Sequence, residues 1–208
     1  MPRMKTNRIV RAWIWLRRIG HCRGFGIQSP WAYSLVRYVI NEHFPYYAYA
    51  DLDAGFPGAD AVRRKTGRFF LRLANYVQPA TVVSILFDDD EEKHSRAHFK
   101  AGCRRLEYIA VSTPEVMEDT IRSLQEAEGR KILHVNASSP AVDAATIKRI
   151  AATMREGDFM VVDNLNASPR LWNEILDGME HTVSFDMYYC GLIYADPKRY
   201  KQNYIINF

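Results

Sequence analysis

Residues 81–102 read TVVSILFDDDEEKHSRAHFKAG. Val82, Val83, Ile85, Leu86 and Phe87 form a near-continuous apolar run of strand length, the pattern of a strand covered on both faces. Five acids follow without a break, Asp88 to Glu92, and no glycine occurs between Gly67 and Gly102. In α/β proteins the turn after the first core strand is where phosphates and nucleotides commonly sit. Helix N-terminal amides point into it, and glycine lets a ligand approach the backbone. Here the same turn is filled with side chains and negative charge.

Working outward, the chain alternates strand and helix on the carboxyl side. A strand over 82–87 is followed by a helix near 91–101. LEYIAV at 106–111 precedes a helix opened by Thr113-Pro114 and running to about Ala127. KILHV at 131–135 leads to a helix over 141–155, and FMVVD at 159–163 to a helix opened by Ser168-Pro169. Serine or threonine before proline suits an N-cap followed by the first helical position. Such a run of βα units predicts a mostly parallel sheet covered by helices. Two further β-rich segments, near 182–187 and 190–195, and a closing YIINF complete the chain; the short DPKRYKQN loop predicts that the last two strands form an antiparallel hairpin.

The amino side reads as helices. NRIVRAWIWLRRIG at 7–20 puts Ile9, Trp13, Leu16 and Ile19 or Gly20 on one stripe and Arg8, Arg11 and Arg18 on another. The expectation is a helix packed on the body with its arginines in water; the alternative is an arm for an anionic membrane surface, through residues 3–18. Gly24 and Gly26 mark a turn, since no strand precedes them as a phosphate loop requires. Ser29-Pro30 opens a helix carrying Ala32, Leu35, Val36, Val39 and Ile40 at helical spacing. Residues 45–60 are aromatic and turn-rich and read as a loop, with Tyr46, Tyr47 and Tyr49 either packing it or lining an interface. A helix from about Ala61 to Val77 buries Val62, Phe69, Phe70, Leu73 and Val77 and exposes Arg63, Arg64, Lys65, Arg68 and Arg72. The chain thus divides into a basic helical arm with an aromatic loop, 1–60, and an α/β domain, 61–208.

Charge follows that division. Residues 1–41 hold eight Arg or Lys and no acid, while the remaining 167 hold 20 basic and 24 acidic residues. The acidic body argues against general nucleic-acid binding. Three widely spaced cysteines, Cys22, Cys103 and Cys190, give neither a disulfide framework nor zinc spacing and read as reduced thiols of a cytoplasmic protein. Arg11, Arg17 and Arg18 interrupt the apolar run that a secretory leader would need.

Three stretches carry a family resemblance: GFGIQSPWAYSLV at 24–36, VVDNLNAS at 161–168, and SFDMYYCGLIYADPKRYKQNYIINF at 184–208. Together they resemble class I S-adenosylmethionine-dependent methyltransferases, more narrowly a small O-methyltransferase-like branch found in Bacteroidetes-type bacteria. The first is similar to that branch's "HG-IHSPF-VF" segment, the second to the strand-end "VVDN" or "IFDD" motif, and the third to its terminal "GL-VFF" strand, basic loop and final strand. The resemblance implies a Rossmann-like fold of helices around a seven-stranded sheet whose last strand runs antiparallel. It also implies a cofactor pocket at the carboxyl ends of the first strands.

The departures from that pattern concern the pocket. The family's first strand runs into a glycine-rich turn; here the turn is Phe87 and Asp88 followed by four more acids. The family's second strand ends in an acid that binds the ribose hydroxyls; here Val111 stands at that place, with Ser112 or Glu115 as substitutes in a shifted geometry. Only one helix separates 111 from 131, so one βα unit is missing. HVNASSP at 134–140 is similar to "FIDGNHR", which puts Asn136 where the family has a catalytic or metal-binding acid and Pro140 where it has a basic residue. Asp163 and Asn164 keep the metal-ligand pair, but two oxygen ligands without a third acid make a poor magnesium or calcium site, and no metal is expected. His94 and His98, at i and i+4 near Glu91 and Glu92, have a spacing that can bind zinc, against a plain reading as exposed helix histidines.

Three functional readings follow. The first is a degenerate, non-catalytic methyltransferase-like domain that binds no cofactor and acts through a protein partner or as a homo-oligomer. The second is an active S-adenosylmethionine-dependent methyltransferase with an altered pocket. The third is a membrane-surface protein acting through its basic helix.

Overall fold

The computed structural model describes residues 7–86, 88–138, 142–177 and 179–208. Seven strands, β1 (Thr81–Ile85), β2 (Glu107–Val111), β3 (Lys131–Asn136), β4 (Phe159–Asp163), β5 (Thr182–Asp186), β6 (Cys190–Ala195) and β7 (Gln202–Ile205), form one sheet in the order β2-β1-β3-β4-β6-β5-β7. β2, β1, β3 and β4 are mutually parallel, and β6 runs antiparallel to both its neighbours, β4 and β5. This is a Rossmann-like α/β sheet, mostly parallel and finished by an antiparallel hairpin. The hairpin is β5–β6, not the last two strands as expected. β7 instead crosses to the far side of β5 and pairs with it in parallel. The reversed strand is therefore β6 and not the final one. β2 is an edge strand, and between it and β3 the chain forms one helix and no further strand.

Helices cover both faces because strand side chains alternate. On one face Val83, Ile85, Val111, Leu133, Val135, Met160 and Val162 meet α6 (Pro114–Glu126), α7 (Ala144–Ala151) and α8 (Pro169–Leu176). On the other, Val82, Tyr108, Ile132, Phe159 and Val161 meet α4 (Ala61–Val77) and α5 (Asp89–Gly102). The α2 helix (Pro30–Leu35) and the π-helical turn that continues it (Val36–Ile40) bury Ala32, Leu35, Val36, Val39 and Ile40 in the same core. Each of the larger ones, Leu35, Val36, Val39 and Ile40, contributes about 1.5–3 kcal/mol when taken fully out of water. α4 spans the predicted residues, opened by Asp60, whose carboxylate accepts from the Arg63 amide.

Three expectations for the amino side are corrected. The aromatic segment at 45–60 contains a helix, α3 (Ala48–Gly55). Arg72 is not on an exposed face: it is 5% exposed and donates to the Val39 and Ile40 carbonyls and to the Tyr49 hydroxyl. Its guanidinium satisfies carbonyls at the end of the π turn that no helical partner reaches. Finally, α1 (Arg8–Arg17) presents its apolar stripe to solvent. Ile9, Trp13 and Leu16 are exposed, while Ile14 is buried and Arg18 turns inward to Asp186.

Candidate functional site

Parallel strands end together, so the carboxyl ends of β1, β2, β3 and β4 bring together most of the residues that the family pattern singles out. Ile85 pairs with Val111 on one side and Val135 on the other, and Asn136 lies opposite Asp163. Phe87, Pro140 and the side chain of Glu115 lie outside the described residues.

Past β1 the Leu86 amide still donates to the Val111 carbonyl at 3.2 Å, so the first two strands stay joined to the rim. Asp88 is the N-cap of α5, its Oδ1 accepting from the amides of Asp90 and Glu91, both at 3.0 Å. Asp90 is bound by Arg63 through its carboxylate and its carbonyl, each at 2.7 Å. Glu92 accepts from Arg96 at 2.7 Å, one turn on. The acidic run therefore starts a helix. Its charges favour the positive end of the helix dipole by about 0.3–1 kcal/mol each at low salt, less where they crowd one another.

At the end of β2 the Val111 side chain is fully buried in the core against α6 and offers no acceptor to a ribose hydroxyl; Ser112 is exposed. At the ends of β3 and β4, Asn136, Asp163 and Asn164 are buried side by side. Asn136 Oδ1 accepts from Asn164 Nδ2 at 3.0 Å and from the Ser138 amide at 2.9 Å. Asn164 holds a left-handed conformation (φ 55°), which asparagine tolerates better than most residues. Its Oδ1 is buried with no hydrogen-bond partner among the described residues. The two amides bind each other, so of the three side chains only Asp163 brings a full charge. Among the described residues no group of three or more His, Cys, Asp or Glu is placed to hold a metal ion. The donor set is a poor fit for a hard divalent cation, which prefers several charged oxygens.

His94 and His98 are not exposed. They are 4% and 2% accessible on the inner side of α5, with Phe56 edge-on to His94, 5.0 Å between ring centroids. His98 Nδ1 lies 2.7 Å from the His94 carbonyl, and burial pushes the His98 pKa down. They are packing residues between α4 and α5.

Sequence reasoning missed a buried polar row beneath the strand ends. Ser84 Oγ and His134 Nδ1 share a hydrogen bond of 2.8 Å, and Ser95 Oγ and the Tyr108 hydroxyl one of 2.7 Å. Phe70 and Phe99 press edge-on against His134. A polar residue inside each of two apolar strands, Ser84 and His134, was the available signal, but nothing local shows that they sit opposite each other.

The described cavities take their walls from other elements. Two lie beside α4 and share Lys65: one of about 300 Å³ against Arg8, Arg11 and Trp15, and one of about 430 Å³ against Glu42, Arg64 and Arg68.

No protein-family model and no curated protein sequence matches the chain. Among solved structures it is similar to the SAH-bound methyltransferase PaMTH1 of Podospora anserina, with 11% identity, covering 82% of this chain and 97% of that one at a TM-score of 0.46. It is also similar to the O-methyltransferase TomG of Streptomyces achromogenes, involved in tomaymycin synthesis and seen in complex with SAM, with 13% identity over 73% of this chain and 91% of that one, also at 0.46. At that level neither likeness bears on what this chain does. The Rossmann-like class rests on the strand order and directions given above. Among the described residues no helix is long and apolar enough to cross a membrane.

Proposed function

We propose that this chain is a methyltransferase-like domain that has given up its cofactor pocket and works as a non-catalytic binding or structural module. The observation that carries this reading is the capping of α5 by Asp88. Amides at a helix N-terminus are the natural donors to a ligand in this turn, and here the chain's own carboxylate takes two of them. Val111 in the core, and Asn136 bonded to Asn164, agree with it: at these two places, where the family pattern has a ligand-binding acid, a side chain with an internal role stands instead, while Asp163 keeps its acid.

The test is calorimetric titration with S-adenosylmethionine and S-adenosylhomocysteine. The reading expects no heat of binding and no rise in melting temperature at millimolar ligand, since a ligand specific to the native state must stabilise it. Micromolar binding of either overturns it.

One observation favours the second reading, an active methyltransferase with an altered pocket. Asn164 leaves a buried acceptor without a hydrogen-bond partner among the described residues, next to Asp163. Methyl transfer draws mainly on holding reactants in line, so few catalytic residues need survive. The same titration decides it, and Asp163→Asn would then weaken binding or turnover.

A further inference from the structure

The α1 helix faces the wrong way for a helix that only packs on the body. Ile9, Trp13 and Leu16, spaced to form one stripe, are 75%, 56% and 58% exposed, and Ile19 just beyond is 54% exposed. The side that meets the protein is held largely by polar contacts. Arg18 donates to the Asp186 carbonyl and carboxylate and to the Ile206 carbonyl at 2.9–3.2 Å, and Asn207 Nδ2 donates to the Trp15 carbonyl at 3.0 Å. Only Ile14 of this helix is buried. Single exposed apolar residues are ordinary; a contiguous stripe on one anchored helix marks a surface that something covers.

We propose that this face docks on an anionic phospholipid bilayer, with α1 lying in the plane of the interface. The charge pattern selects that occupant. Arg8 and Arg17 flank the stripe, Arg3 and Lys5 precede it in the sequence, and no acid occurs before Glu42. The Arg17 guanidinium lies 4.6 Å from the Trp13 ring centroid, at the edge of the apolar face, where a charge reaches headgroups while the ring enters the acyl boundary. Tryptophan prefers that depth. A groove of about 300 Å³ between α1 and the outer strand is lined by Trp13, Arg17 and Ile205, and extends the patch to a second exposed apolar residue. A second copy seated symmetrically on the same face would bring two arginine-flanked helices together without an acid on either, which is unfavourable. The proposal does not rest on the fate of the cofactor pocket.

The test is co-sedimentation of the full chain with vesicles of phosphatidylcholine alone and with phosphatidylglycerol added, at low and high salt, beside the double variant Trp13→Glu/Leu16→Glu. Both substituted positions are exposed, so circular dichroism and melting temperature should match the parent. The expected result is pelleting with the anionic vesicles only, a blue shift of tryptophan emission, loss of binding at high salt, and a partition coefficient lower by about tenfold or more in the variant. The proposal is overturned if the parent stays in the supernatant with anionic vesicles, or if the variant binds as well as the parent. It is equally overturned if light scattering shows a dimer that the variant dissociates, which would make the face an interface between copies.

Discussion

Gly67 and His98 meet where α4 packs on α5: a Cβ built on Gly67 would stand 2.6 Å from His98 Nε2 and 2.7 Å from His94 Cε1. The helices approach this closely because one side chain is a hydrogen atom, and the two buried imidazoles fill the space.

Substitution at this contact should therefore destabilise, although alanine normally exceeds glycine in a helix by up to about 1 kcal/mol. Gly67→Ala must push a buried ring aside, at a net cost of about 1–2 kcal/mol. Gly102→Ala should cost more, because its Cβ would lie 2.1 Å from the Leu71 carbonyl oxygen, and backbone cannot swing away. Thermal melts of the two variants check the order; a rise in melting temperature for Gly67→Ala would refute the contact.

His98 should make stability fall in mild acid. Its pKa lies below the ordinary 6.5, first because of burial, with the Arg63 and Arg68 charges adding to the effect and the His94 carbonyl and Asp53 opposing it. The unfolded chain then binds a proton that the native state refuses, so the stability present above about pH 6.5 is lost as pH falls through the folded value. Urea midpoints between about pH 7 and about pH 5 should drop less for His98→Gln than for the parent. Equal slopes would show that this imidazole titrates normally.

Lys131 and Asp158 form an ion pair at 3.4 Å with both side chains almost wholly buried. Asp158 also accepts from the amides of Lys131 and Arg155, both at 2.8 Å, and Lys131 Nζ donates to the Leu124 carbonyl. Asp158→Ala leaves a buried ammonium without a counter-charge, with only the Leu124 carbonyl to accept from it, and two amides unmatched, and should cost about 3–5 kcal/mol. Lys131→Met leaves the carboxylate its two amide donors and should cost less. Chemical denaturation of both variants tests the ranking; an equal or reversed order would place the energy elsewhere.

Lys65 should titrate below the other lysines. Its ammonium lies 4.5 Å from the Phe208 ring centroid; burial, then the charges of Arg72 and Arg11, pull its pKa down to about 8. The residue as a whole stays accessible, so water limits that fall and the measured midpoint should lie between about 8 and the ordinary 10.5. Because the native pKa is lowered, this group's contribution to stability rises with pH across that window. NMR of reductively methylated lysines reads the midpoint directly, with Lys65→Arg assigning the resonance; a midpoint at or above 10.5 refutes the environment.

Segments whose burial is stated by their own periodicity were legible beforehand. The α4 helix runs Ala61–Val77 and β4 runs Phe159–Asp163, as their apolar spacing required. The caps at Ser29-Pro30 and Thr113-Pro114 open helices where they should. The gap between 111 and 131 holds a single helix, as its length allowed. The acidic run starts a helix, because carboxylates suit a helix N-terminus whatever the tertiary context.

Partners were a different matter. The histidines of α5 look solvated until Gly67 is seen to admit them, and Arg72 looks like a surface charge until the π turn offers it two carbonyls. The short loop between the 190–195 strand and the closing strand predicts that the two pair, yet β5 lies between them. The stripe of α1 was legible, but not the direction it faces. Period and composition record how one segment solvates along its own axis. Register, strand order and the face a helix turns outward are settled by contacts far apart in the chain, where shape and unmet hydrogen bonds outweigh local preference.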